Sequence, residues 1–454
     1  MSSKLSTRTG NIREFKIFQA NGGNSAEVEA AAVDIKYYED ILSNSVSLSV
    51  IITESGDSNN KKFGSRGILD GLPIRGGEAA NIIIVDHDGN KLEFKDEKKL
   101  YVNRVRNVIA GTQKDVYALD FTSREMLANE QCRVVKRYDG KISENIKKIL
   151  TEATSADVGI KTKKEVTVDE TAINYNFIGN DRKPFYVCTW LASKSIPAEA
   201  GTIGGSAGYV FYETYDGYNF RSLDALAEQD SKGNYLFSNT DNTPPEYTGK
   251  ILNYDLDRDI DLQNNLTIGA YSNRTLFFDF YAYNYKVRNY SVDSTQPAEN
   301  NEAGSKGKLV NLGEDEINSV ADEFRLPVSR LMNRVLDVGT LPSGKDIDEQ
   351  LKTWKNSPFD PTYDSTKTMV QSVMRYNQMF AIKINITIAA DFDLCAGDLI
   401  KCEFPQISTD PNTPTNDKSG GIYMISSLCH RLTTRDAYTS LTLVRDTFGK
   451  KSST

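Results

Sequence analysis

Val46, Leu48, Val50 and Ile52 alternate with Ser45, Ser47, Ser49 and Ile51. That period of two predicts a strand with one face buried. Ile382, Ile384, Ile386 and Ile388 alternate with Lys383, Asn385, Thr387 and Ala389 in the same way. Asn81–Val85 is a short apolar strand, and Asp86-His87-Asp88-Gly89-Asn90 behind it contains the Asp-Gly of a tight hairpin turn. Leu100–Ile109 and Lys114–Thr122 predict a further antiparallel pair around Gly111. Short strands at this spacing point to a small barrel or sandwich.

The pattern changes after Ser123. Ser143–Leu150 reads as a helix with Ser143 as N-cap and Ile142, Ile146, Ile149 and Leu150 on one face. Pro184–Ser195 reads as a second, with Pro184 in its first turn and Trp190-Leu191 inward. Both belong to an intermediate α+β region. Tyr209–Thr214, Asp216-Gly217 and Tyr218–Leu223 spell an aromatic hairpin. Leu276–Val287 reads as one more aromatic strand. Ser365–Phe380 predicts a helix with Met369, Val373, Met374, Tyr376 and Phe380 inward. The polar stretches 56–67, 289–308 and 408–420 read as loops or insertions, and the last residues as a polar tail.

Two distant stretches, Leu72–Phe121 and Phe392–Leu443, repeat one phrase. Each opens on a glycine and an acid, Gly77-Glu78 and Gly397-Asp398. Each continues to a strand tyrosine, Tyr101 and Tyr423, and ends in an alternating strand around Tyr117 and Tyr438. The first spacing is 24 residues against 26, the second 16 against 15. Two similar β-domains in one chain let three copies present six similar modules, which suits a position between a six-fold and a three-fold object.

At 454 residues the chain has room for about three domains of roughly 150 residues. The net charge of −8 speaks against a sequence-reading DNA binder and fits a surface that nucleic acid passes without sticking. There is no run of about 18 apolar residues, and the N-terminus lacks an apolar signal core, so neither a membrane span nor a secretory signal is expected. Five cysteines without a CxxC, each among apolar neighbours, are expected as free thiols. Cys395 and Cys402 flank a short strand.

Chemistry is sparse. His87 sits in a turn, and His430 follows Cys429 on a strand, where adjacent side chains point to opposite faces. Gly201–Ser206 is Gly-rich but precedes a strand rather than opening a helix, so it makes no phosphate cradle. Asp255, Asp257, Asp259 and Asp261 alternate strictly, yet Ile260 and Leu266 stand where a calcium loop needs Gly and Glu. The 62 acids leave carboxylate pairs open without singling one out. No catalytic, cofactor-binding or metal residue is therefore nominated.

The C-terminal segment resembles the end of baseplate hub proteins of contractile-tailed, T4-like bacteriophages. Leu394-Cys395-Ala396-Gly397-Asp398-Leu399-Ile400, Gly421-Ile422-Tyr423-Met424-Ile425, His430, and Asp436-Ala437-Tyr438-Thr439-Ser440-Leu441-Thr442-Leu443-Val444-Arg445-Asp446 carry the likeness. The hairpin from Gly208 to Thr214 and Phe220 to Leu223 is similar to one in that family. The resemblance implies a mainly β chain with an α+β insertion: two tail-tube-like antiparallel β-barrels plus an intermediate domain. One barrel would occupy 10–123. The other would be split between 205–290 and 375–448, with the intermediate domain in 124–204 and 291–374. It further implies a homotrimer forming a pseudo-six-fold ring. The ring would join the hexameric tail tube to the trimeric spike and pass DNA through its channel without specific binding. The protein would reside in the virion baseplate after assembly in the bacterial cytoplasm, as a non-enzyme without cofactor. Phage, tailocin and secretion machines share such a hub. The alternative is a peptidoglycan-degrading or glycan-binding tail-tip protein.

Overall fold

The computed structural model describes residues 9–20, 23–55, 67–111, 114–172, 174–198, 206–238, 244–257, 262–279, 283–291, 312, 320–325, 327–335, 365–380, 382–405, 416 and 418–447. The expected loops 56–67, 289–308 and 408–420, the tail, Gly201–Gly205, Asp259 and Asp261 lie largely or wholly outside them. No described helix is long and apolar enough to cross a membrane.

The first β-region contains β1 (Asn11–Phe18), β2 (Ser25–Glu27), β3 (Ala32–Asp40), β4 (Ser47–Glu54), β5 (Ala79–Val85), β6 (Lys91–Phe94), β7 (Leu100–Ala110) and β8 (Asp115–Ser123). Alternation builds these strands as expected. Leu48, Val50, Ile52 and Glu54 of β4 point inward while Ser47 and Ile51 are exposed. Gly89 closes the β5–β6 turn with a positive φ of 97°, where only glycine is comfortable. Phe15, Tyr37, Ile82, Leu119 and Phe121 lie in one fully buried core.

The intermediate region holds β9 (Arg137–Tyr138), β10 (Glu165–Val168), β11 (Phe177–Ile178), β12 (Tyr209–Glu213) and β13 (Gly217–Ser222), with helices Ile142–Thr151 and Pro184–Ala192. Lys141, not Ser143, is the N-cap of the first helix. Ser143 is buried and bonded to Thr171, whose hydroxyl takes its N–H at 3.1 Å. The aromatic hairpin β12–β13 pairs with β10, not with a barrel strand. Its Tyr209, Phe211, Tyr218 and Phe220 enter the intermediate core beside Ile146, Phe185 and Leu191. Aromatic rings gain more in that closed core than on a barrel rim.

The second β-region begins at β14 (Ser231–Phe237) and β15 (Gly249–Asp257). Between them and the remaining strands come β16 (Ser272–Asp279), β17 (Asn284–Ser291) and β18 (Arg330–Val335), a separate sheet packed on helix Ser365–Met379. The single strand expected over Leu276–Val287 is a hairpin of two, turning between Asp279 and Asn284. Then follow β19 (Ile382–Ala389), β20 (Leu399–Glu403), β21 (Gly421–Thr433) and β22 (Ala437–Arg445).

The barrel strands form one 14-stranded sheet. Its second half, β21-β20-β14-β15-β19-β22, closes on itself because β22 also pairs with β21. Its first half runs β1-β5-β7-β8-β4-β3. Read round from β14 through β20, the closed half visits its strands in the same order as the first half: first, fourth, fifth, sixth, third, second in the chain. The bulges match as well. β3 slips against β4 between Ala32 and Asp34, and β15 against β19 between Ile251 and Asn253. β7 slips against β8 between Val102 and Arg104, and β21 against β22 between Ile425 and Ser427. A bulge fixes register and bend, so four coincident ones mark one module built twice. The copies differ at β14, which runs parallel to β15 and β20, whereas β1 runs antiparallel to β5.

Candidate interface: the barrel junction

The glycine–acid phrase makes the same knot in both modules. The Gly77 N–H donates to Val102 O at 2.7 Å, and Val102 N–H returns to Glu78 O at 2.9 Å. Gly397 N–H donates to Ile425 O at 2.8 Å, and Ile425 N–H returns to Asp398 O at 2.9 Å. The φ angles are +88° and +94°, the left-handed region that glycine tolerates. Each acid then folds back on the turn: Glu78 accepts from Arg75 N–H at 2.8 Å, Asp398 from Cys395 N–H at 2.7 Å.

β21 is 13 residues long and serves two barrels. Its start pairs with β20, whereas Ser427–Thr433 pair antiparallel with Asp40–Asp34 of β3. The open edge of the first barrel is thereby covered by the second, which satisfies its backbone groups. Arg431 clamps the seam, with Nε at 2.8 Å and Nη2 at 3.1 Å from the two Asp34 oxygens. Such a bidentate pair adds direction to charge.

Under the seam His430 is sandwiched between Tyr37 and Phe392. Its Nε2 faces Leu394 O at 3.2 Å and its Nδ1 faces Thr439 Oγ1 at 2.8 Å. A carbonyl can only accept, so Nε2 carries the proton and Nδ1 accepts from the threonine. Burial pushes the imidazole down to about 4, and it stays neutral. It is a satisfied core histidine, turned away from Cys429.

Glu39 ties three parts together. Its carboxylate accepts from Tyr37 Oη at 2.8 Å on its own strand, Tyr215 N–H at 2.6 Å in the intermediate region, and Ala396 N–H at 2.8 Å beside the second knot. Burial raises its pKa to about 7, against the pull of these donors. The folded value lies above the ordinary 4.5, so this carboxyl's contribution is complete below 4.5 and lost as pH rises through about 7. Relative to Glu39→Gln, the wild type should therefore lose on the order of 2–3 kcal/mol between pH 5 and pH 8. Denaturant titrations at both pH values check this; a difference independent of pH refutes it.

Glu213 makes a second tie. It accepts from Val46 N–H of the first barrel at 3.1 Å and from Lys164 Nζ at 2.6 Å. Lys164 also lies 3.4 Å from Glu125. Burial raises Glu213, partly offset by Lys164. Burial alone would lower Lys164, yet the two glutamates raise it on balance.

His87 lies 2.9 Å from Asp88, and Asp255 is exposed on β15. The structure brings neither to a partner set for chemistry. All five cysteines are free, and among the described residues no group of three His, Cys, Asp or Glu could hold a metal ion. A cleft of about 230 Å³ lies between the β12–β13 hairpin and the Gly397 turn. Its cations are already paired, Arg221 with Asp169 at 3.1 Å and Lys232 with Asp398 at 3.0 Å. Sequence reasoning missed Glu39 and Glu213. The available signal was an acid directly after strand tyrosines, as in Tyr37-Tyr38-Glu39 and Tyr212-Glu213.

No family model matches the chain, and no curated protein matches it in sequence. Its fold is nevertheless shared. The tail protein from Neisseria meningitidis MC58 superimposes with a TM-score of 0.52 at 10% identity, over 96% of this chain and 97% of that one. The 43 kDa tail protein of prophage MuSo2 from Shewanella oneidensis gives 0.50 at 10% identity, over 95% and 98%. The mainly β architecture with a closed barrel is thus that of tail proteins.

Proposed function

We propose that this protein is a structural hub of a contractile tail. Three copies form a ring of six barrels that joins a hexameric tube to a trimeric spike and surrounds the path of the DNA. One observation carries this reading: a single module occurs twice, with matching strand order and bulges, and its copies are joined edge to edge by β21 and β3. A three-fold assembly of such chains offers a nearly six-fold surface to one neighbour and a three-fold one to the other. The likeness to two tail proteins supports the setting, and a net charge of −8 suits a wall that DNA slides past. The role needs no cofactor and no catalysis. It places the protein in the tail baseplate of a virion assembled in the host cytoplasm. The first barrel takes 10–123, and the second takes 231–257 with 382–447. The intermediate parts lie in 124–230 and 258–381.

Mass photometry and electron-microscopy class averages, with and without the spike protein produced alongside it, test the proposal. The expected result is a trimer whose axial view shows six similar lobes. A chain that stays monomeric even with the spike overturns it.

A further inference from the structure

We infer that β7 beyond Val102 receives β15 of a second copy, repeating between chains the contact that β21 makes with β3 within one. The inference rests on the proposed ring and gives that ring its seam.

The matched bulges set the correspondence. Val102 and Ile425 occupy equivalent places, as do Ala32 and Ile251. Past its bulge, β21 keeps β22 on one side and, in place of β20, takes β3 on the other. The equivalent of that segment is β7 from Arg104 onward, and the equivalent of β3 is β15.

Both edges are uncovered among the described residues. Among the described residues β7 pairs with β5 only at Leu100 and Tyr101, and β15 pairs with β14 only through Gly249–Ile251. Beyond these points each strand keeps its other neighbour, β8 or β19, and among the described residues none lies on the near side. An uncovered edge with unpaired backbone groups invites a partner strand. Val108 and Ile109, near the end of β7, are 53% and 68% exposed. Within the chain, the first barrel's β3 receives the second barrel's β21. Repeating that contact places a further first barrel against β15, so the strand that fills the gap belongs to another copy.

Charge selects the same occupant. The seam within the chain is closed by Arg431 on Asp34, with Lys36 at 3.4 Å from the same carboxylate. The seam between chains would lay the end of β7 that carries Arg104 and Arg106 along the acidic end of β15. Cys429 pairs with Tyr38 in the first seam. Carried across, that register puts Arg106 opposite Asp257. The acidic row of the sequence thereby acquires a role that no cation site gave it. Arg106 already grips Asp120 at 2.6 Å and Ser49 at 3.0 Å, which holds it on the face it needs.

Directly opposed antiparallel residues have Cα atoms about 4.5–5.5 Å apart, within disulfide range. The test is therefore Arg106→Cys combined with Asp257→Cys in the full chain. Mild oxidation should give covalent dimers and closed trimers on a non-reducing gel, and neither single variant should. Because Arg106 also holds Asp120, Asp255→Lys with Asp257→Lys provides a second measurement. It should raise the trimer dissociation constant at least tenfold, with the melting of the separate chain unchanged. If the wild type trimerises while both results fail, the seam is wrong and the hub reading stands. If the wild type is monomeric even with the spike, both fall. Cross-linking of either cysteine to the spike instead of a second copy also overturns the seam.

Discussion

Replacing Gly397 with valine should cost about 3 kcal/mol of stability, the sum of two separable penalties. The first is backbone strain. Gly397 has a φ of +94°, forced by the turn that sends its N–H to Ile425. A β-branched residue there is strained by roughly 1–2 kcal/mol. The second is overlap. A Cβ at this position would lie 2.5 Å from Tyr212 Oη and 3.5 Å from a Leu226 methyl. Tyr212 is 2% exposed and cannot swing away, so overpacking adds roughly 1–3 kcal/mol. Gly77 is the control. Its φ is +88°, but nothing lies within 4 Å of its added Cβ. Gly77→Val should show the strain alone, and melting curves of both variants separate the terms. Equal losses at the two sites would mean that the second knot is not packed on the hairpin as described.

The same pair of glycines shows what the chain reveals by itself. Gly77-Glu78 and Gly397-Asp398 could be read as one phrase because the knot is local, spanning a turn and the strand it faces. Alternating strands such as β4 and β19 were legible for the same reason: each position's face follows from its neighbours. Pairing partners were not. The hairpin β12–β13 has a clear turn, but nothing in it says that β10, some 50 residues earlier, completes its sheet. Strand β14, Ser-Lys-Gly-Asn-Tyr-Leu-Phe, shows little alternation, because only Gly233 and Tyr235 point fully inward. Helix Ser365–Met379 misled in another way. Its apolar residues implied an ordinary stripe; Met374 is indeed buried and Tyr376 and Phe380 pack against the core, but Met369 and Val373 are only partly covered. The face that goes inside carries Thr368, Gln371, Ser372, Arg375 and Gln378. A buried polar face is set by hydrogen-bond partners elsewhere in the chain, which periodicity cannot see.

That face yields the other large effect expected. Arg375 is 1% exposed, with Nη2 at 3.2 Å from Asp224 and Nη1 at 3.5 Å from Asp446. Asp224 also accepts from Ser206 N–H at 2.6 Å, and Asp446 from Leu312 N–H at 2.8 Å. The guanidinium thus links the long helix, the intermediate region and the end of the second barrel. Removing it with Arg375→Met leaves two carboxylates buried with their cation gone, which should cost about 3–5 kcal/mol. The cost belongs to the abandoned acids rather than to the lost attraction. Adding Asp224→Asn and Asp446→Asn to Arg375→Met should therefore recover part of it, although each asparagine alone weakens the wild type. Denaturant midpoints of the wild type, Arg375→Met, the Asp224→Asn/Asp446→Asn double variant and the triple variant give the coupling. A triple variant less stable than Arg375→Met would show that the aspartates hold their backbone donors independently of the arginine. The link would then be three separate contacts rather than one cation shared by two walls.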